Sequence, residues 1–386
     1  MNASITIFSR ALAGTMLTVT TSAWASPPVA LEAANTTDGF AVVDGGVRRG
    51  VVVVNKLEAA ITLDGAAVGW DGLRARASAF RTDGDSVSER IGDVQTATNL
   101  EAIDTARLFE VWVEQEAKIG SGKASLRAGL LDYNAEFDAM EPAGLFLNSS
   151  HGIGPDVSKS GRAGPSIFPV TGLGVRAEWR PSERWAFRVA AFDGVPGDPA
   201  EPRAFAAVKL RHGDGAFLAA EVNAMPAERT TIGLGAWRYT ENSYPIDASI
   251  SPGSSPPSAA TGVYAFATAA IGARWEGWVR AGIANGRVQS VAGYVGGGLV
   301  GTGVIAGRAD DQIGIAIAHA VTSGPLLRAQ NLPPGETAIE ATYRYRVTRS
   351  FALQPGVQYI IAPAAQAGAS DALALYLRVA LSFPGR

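Results

Sequence analysis

The sequence has no cysteine, only three histidines and no long uninterrupted apolar run. Without thiols there is no disulfide framework and no thiolate metal site, which fits export into an oxidising compartment by a chain that folds without staples. His151, His212 and His319 are scattered without paired ligand spacing. They support neither a zinc centre nor a nucleophile–histidine site, so neither an enzyme nor a cofactor is expected. No stretch reaches the roughly 20 apolar residues of a transmembrane helix. The formal charge is only −3 and no basic run breaks it, which argues against a nucleic-acid partner.

What is present is an export signal followed by strands. Arg10 precedes the modestly apolar segment Ala11 to Thr20, and Ala23-Trp24-Ala25 gives a small-x-small cleavage site. Residues 1–25 are therefore expected to be a secretory signal peptide, 26–50 a periplasmic lead-in, and 51–383 the folded domain. Export without a helical span leaves the periplasm, the exterior or the outer membrane.

Strand patterning chooses among these. In 339–347, Ile339, Ala341, Tyr343, Tyr345 and Val347 alternate with Glu340, Thr342, Arg344 and Arg346. In 373–383, Leu373, Leu375, Leu377, Val379, Leu381 and Phe383 oppose Tyr376, Arg378 and Ser382. A soluble sandwich alternates in the same way. Segments of the length a tilted membrane strand needs nevertheless recur from 51–63 through 69–81, 106–118, 123–131, 171–180, 184–193 and 203–212 to 370–383, about sixteen in all. The predicted fold is all-β, a single transmembrane antiparallel β-barrel of about sixteen strands. Trp179 and Trp185, Trp275 and Trp278, and Tyr345 and Phe351 sit where an interfacial aromatic belt would flank short periplasmic turns. The turns near 181 and 349 cannot share one side with this numbering. That places a miscount before residue 70 and another within 203–240.

Between the strands at 123–131 and 171–180 lies a connection of roughly forty residues, far longer than a hairpin loop. It combines apolar anchors (Phe137, Leu145, Phe146, Leu147) with Asp132, Asn134, Glu136, Asp138, Asn148 and Asp156. Such a loop can fold back and pack. It is expected to turn into the barrel and narrow it, with Phe137, Leu145 and Phe146 against the wall and Asp138 and Asn148 toward the passage. Gly296-Gly297-Gly298-Leu299-Val300-Gly301 matches G-x-G-x-x-G formally but lacks the helix and acidic residue of a dinucleotide fold; small residues in a curved or packed wall explain it better.

Leu126-Arg127-Ala128-Gly129, Asn134 to Phe137, Leu145 to Ser150, Phe168-Pro169-Val170, Leu173 to Arg176 and Phe192 to Pro196 together resemble the bacterial carbohydrate-selective porin (OprB-like) family. Asn99 to Ala102, Arg107 to Trp112, Glu340 to Tyr343 and Pro355 to Pro363 extend the resemblance over roughly 50–383. It implies a porin in the outer membrane of a Gram-negative bacterium, passing small sugars by diffusion into the periplasm. The alternative is a general outer-membrane porin for small anions or organic acids. Small carbohydrates and outer-membrane lipid are the expected partners, with a homotrimer left open. Arg127, Asp132, Asn134, Glu136 and Asn148 fall on positions of the matching motifs and are expected to place the loop or line a constriction. Alternation alone puts Arg76, Glu110, Trp112, Glu114 and Arg176 on the polar strand faces, where a wet lumen tolerates charge and lipid does not. Phe109, Val111 and Val113 are expected on the opposite face.

Overall fold

The computed structural model describes residues 29–246 and 256–384, so the expected signal peptide lies outside the described residues. Sixteen antiparallel strands close into one barrel. In chain order they are β1 Val29–Gly46, β2 Gly50–Asp64, β3 Leu73–Gly84, β4 Thr105–Ile119, β5 Gly122–Leu131, β6 Gly172–Ser182, β7 Trp185–Asp193 and β8 Ala216–Ala227. The second half comprises β9 Thr230–Ser243, β10 Ser258–Ile271, β11 Trp275–Ala284, β12 Val291–Thr302, β13 Gln312–Thr322, β14 Gly335–Arg346, β15 Phe351–Ile361 and β16 Ser370–Pro384. The wall closes where β1 pairs with β16, Ala33 opposite Phe383. A closed wall leaves no edge strand to satisfy, which is what a membrane demands of a sheet.

Two strand assignments are corrected. Residues 29–46 are β1 rather than a lead-in, bonded to β2 and β16 along their length. Residues 203–212 form no strand; they belong to the β7–β8 connection, where Phe205, Val208 and Leu210 are exposed and Lys209 and Arg211 both grip Asp198. The two miscounts cancel in the total and restore the parity of the turns. The β6–β7 and β14–β15 turns now share a rim with both chain ends, and the long connections share the other. In outer-membrane barrels short turns are periplasmic and long loops external.

Side chains alternate across the wall. One face carries exposed Val53, Leu57, Val113, Val175, Val189, Leu234, Val279, Ile315 and Leu377, a band suited to lipid. Near the short turns Trp179, Phe187 and Trp185 stack in series on this face, as a belt requires. Trp278 does not join it. It is 2% exposed and packs inward, with Phe146 and His151 beside it. Phe109 is also corrected: a bulge sets Phe109 and Glu110 together opposite Ser78, and both are buried, Phe109 edge-on to Phe80 and Phe168. The glycine-rich run is part of β12. A Cβ on Gly298 would meet the Trp278 indole nitrogen at 2.7 Å, so glycine there is room for an aromatic ring.

Candidate pore-lining site

Residues 132–171, which join β5 to β6, pack on the wall face opposite the lipid band and therefore lie inside the barrel. Tyr133 stacks on Phe137 at 5.0 Å and meets Phe217 of β8 edge-on. Met140, Leu145, Phe146, Ile153 and Val157 complete an apolar cluster with Trp237, Tyr264 and Trp278 of the wall. On β13, Gly314 leaves the space that Leu145 and Phe146 fill; a Cβ there would lie 2.8 Å from each.

Polar contacts fix the loop's height. Gln354 of β15 donates to the Leu145 carbonyl at 2.7 Å, and Tyr294 of β12 donates to the Ser150 carbonyl at 2.7 Å. Glu340 of β14 accepts the backbone N–H groups of Leu147 and Asn148 at 2.8 and 2.9 Å. The anchor with the greatest charge is Arg280 of β11, whose guanidinium holds Asp138 at 2.8 Å and Asp156 at 2.5 Å, all three fully buried. Asp138 and Asn148 thus face the wall and the loop's own turns, not the passage: the charge of Asp138 is balanced by Arg280 on the wall, and the Asn148 side-chain oxygen accepts from Ser150. Burial also holds His151 neutral, its pKa lowered to about 3.

The β3–β4 connection enters too. Asn99 donates its backbone N–H to Leu147 at 2.8 Å, Thr98 donates to Asp38 of β1 and Arg378 of β16 bonds Asn99 at 2.7 Å. In this segment Asp93 is buried with neither carboxylate oxygen bonded. Burial and the charges of Glu336 and Glu101 push its pKa up to about 8. An unfolded Asp loses its proton near 4, so between about pH 4 and 8 only the folded chain keeps it, and stability falls as pH rises through that window. Asp93→Asn should therefore raise the melting temperature more at pH 9 than at pH 5. A gain independent of pH would show that the charge is not the cause.

The two loops together cover most of the wall from β7 round to β16. The inward polar groups of β1 to β6 form a ladder of alternating sign. Arg76 bonds Glu32 at 3.1 Å and lies 3.4 Å from Glu110, which accepts the Trp112 indole N–H at 3.1 Å. Arg127 stacks its guanidinium 4.0 Å over Trp112 and bonds Glu114 at 2.9 Å. Opposite it in register, Arg176 bonds Glu114 at 2.7 Å and takes Glu136 in a two-point grip, both bonds 2.7 Å. Arg188 continues the series to Glu178 at 2.5 Å and Glu221 at 3.3 Å. Side chains of Glu32, Lys56, Arg127 and Glu136 keep part of their surface open.

A barrel this size, with a polar ladder on one side and an inserted loop on the other, is the architecture of a diffusion channel. Residues 54–383 match the family described as "Carbohydrate-selective porin, OprB family". The chain belongs to that family. It is a sugar-selective porin of the Gram-negative outer membrane, and family and fold point to a channel rather than an enzyme. No curated protein matches the chain. Among solved structures it is similar to the high-pH structure of Pseudomonas putida OprB, with TM-score 0.78 and 18% identity over 92% of this chain and 94% of that one. The outer membrane channel DcaP of Acinetobacter baumannii aligns with TM-score 0.57 and 11% identity, over 92% and 97%. A mutant Rh. blastica porin aligns with TM-score 0.54 and 8% identity, over 92% and 100%. At these identities the structures speak for the fold.

Of the residues singled out from the sequence, Arg76, Glu110, Trp112, Glu114, Arg127, Glu136 and Arg176 come together in the ladder. Asp132, Asn134 and Asn148 do not. Asp132 accepts the Asn134 backbone N–H at 2.9 Å, Asn134 donates to the carbonyls of Phe137, Asp138 and Gly152, and Asn148 accepts from Ser150. These three hold the loop's turns. Sequence reasoning missed Arg280, Glu340, Gln354 and the Arg378–Asp38 pair. The inward parity of Arg280, Glu340, Gln354 and Arg378 was readable, but not that Asp38 lies on a strand, nor which loop would meet them.

Proposed function

We propose that sugars cross between the inserted loop and the inward faces of β1 to β6, and that Arg127 and Glu136, which keep surface open, provide the contacts that select them, with the buried Arg76, Arg176, Glu110 and Glu114 holding those two in place. The observation supporting this is the alternation of sign. A neutral polyhydroxyl solute accepts from guanidinium and donates to carboxylate, so it can exchange its hydration for both halves of the ladder. A small anion would be drawn by the arginines and opposed by the interleaved carboxylates, which disfavours the organic-acid alternative. Each group already has a partner, so a passing hydroxyl competes rather than fills a vacancy, and binding stays weak enough for escape. Trp112 holds the plane of Arg127, and Asp132, Asn134 and Asn148 keep the loop at its height.

Arg127 is the test position, because it is partly open and Arg176 remains to balance Glu114 and Glu136 when it is removed. Arg127→Ala should slow sugar permeation far more than small-salt permeation, and Arg127→Lys should restore it only in part, since an ammonium keeps the charge but not the planar fork or the stack on Trp112. Equal loss of sugar and salt flux would assign Arg127 to the structure of the wall instead.

A further inference from the structure

Toward the rim of the long loops, the passage meets an aromatic ring that the ladder does not use. Phe168 sits in the tight turn closed by the Ile167–Val170 bridge, at the foot of the inserted loop. The turn is fixed through Ser166: Tyr133 donates its backbone N–H to the Ser166 carbonyl at 2.7 Å, and Gly172 donates to the Ser166 hydroxyl at 2.8 Å. Phe80 of β3 and Phe109 of β4 back the ring with centroids at 5.1 and 6.0 Å; both are buried, whereas Phe168 keeps part of its surface open. On β2, Lys56 places its ammonium 5.0 Å from the Phe168 centroid and bonds Glu58 at 2.8 Å. Glu58 lies opposite Phe80 in register, and Arg76 lies opposite Thr62, nearer the short turns. Four residues of strand separate the two levels, roughly 13 Å at about 3.3 Å per residue. A solute from outside therefore reaches Phe168 before Arg76.

We propose that Phe168, with Lys56 and Glu58, forms an outer subsite for cyclic sugars, and that Phe168 makes the channel prefer a ring to an open chain. A pyranose carries C–H bonds on a flat face and hydroxyls round its edge. The face can lie on the phenyl ring while the edge reaches a donor in Lys56 and an acceptor in Glu58. The ammonium rides on a flexible four-carbon stem, so it can leave the ring for a hydroxyl without moving the wall. An open-chain polyol offers similar hydroxyls but no fixed apolar face, so it gains the polar contacts alone. Trp112, the aromatic of the ladder, is 6% exposed and lies beneath Arg127, so it does not offer such a face. The subsite presupposes the sugar passage proposed above and adds which sugars it prefers.

Solute-induced loss of ion conductance in planar bilayers tests it, with glucose and its open-chain alditol sorbitol as probes. In the wild-type channel the half-saturating concentration of glucose should lie roughly two- to ten-fold below that of sorbitol, the range an aromatic contact supplies. Phe168→Leu, which keeps apolar bulk but not the flat face, should raise the glucose value to that of sorbitol, and Phe168→Tyr should keep the difference. Heat-dependent gel migration and protease resistance of residues 132–171 should match wild type in both variants. Equal values for the two solutes in the wild type, or a difference that survives Phe168→Leu, would overturn the proposal. So would equal weakening of both solutes with new cleavage in the loop, which would make Phe168 a packing residue. Arg127→Ala in the same assay reads the ladder: it should weaken both solutes and keep their ratio, so a failure of the ladder shows as unchanged values in that variant.

Discussion

Shortening residues 138–165 to a few Gly and Ser is expected to leave the barrel folded, raise single-channel conductance and abolish discrimination between sugars. The sixteen strand pairings run through wall residues alone, and none depends on this segment. What the segment supplies is the inward half of an apolar cluster and a set of bonds to β8, β11, β12, β14 and β15. With it gone, Arg280, Glu221 and Glu340 face water in a wide lumen, where a charge costs little. A barrel of sixteen strands without an inserted element is an aqueous channel. Unchanged conductance would mean that the segment does not set the width of the passage.

The second large effect is expected from Arg280→Met. Removing one partner of a fully buried ion pair leaves uncompensated charge, which costs about 3–5 kcal/mol. Here two carboxylates, Asp138 and Asp156, lose the same guanidinium, and Glu221, which accepts the Asp138 backbone N–H at 2.7 Å, adds a third negative charge nearby. The loop should leave the wall while the barrel stands, read as new protease cleavage within 132–171 and as higher, noisier conductance. Adding Asp138→Asn and Asp156→Asn to Arg280→Met should reverse much of the effect, since the two carboxylates left without their guanidinium are then neutral, while Glu221 keeps its pair with Arg188. Protease resistance equal to wild type in the single variant would show that the ion triad does not hold the loop.

The wall was legible in the sequence wherever a strand carries large apolar residues on one face and polar ones on the other. β14 and β16 show this plainly, and Phe383 closes the pattern. β1 was not legible because its central outward positions are Ala33, Asn35, Thr37, Gly39 and Ala41, which lack the bulk that makes period two visible. Residues 203–212 misled for the opposite reason: Phe205, Val208 and Leu210 imitate a strand but lie exposed in a connection that joins no strand ladder, its backbone bond to β4 running from the Leu108 N–H to the Phe205 carbonyl. The ladder was readable from parity because charges on a lumen face are cheap and on a lipid face dear. Phe109 defeated parity through a bulge, which sequence does not announce. The loop's entry was foreseeable from its length and anchors. Its charge balance was not, since Arg280 lies 142 positions from Asp138 and 124 from Asp156, and only the closed barrel brings them together.

Selective passage of neutral sugars past a ladder of alternating charge is the central claim, and liposome swelling tests it most directly. Purified mature protein in vesicles should admit small sugars at rates that differ among sugars of similar size, faster than organic acids of matched size. Equal rates for sugars and acids of one size, or preference for the acids, would contradict the account.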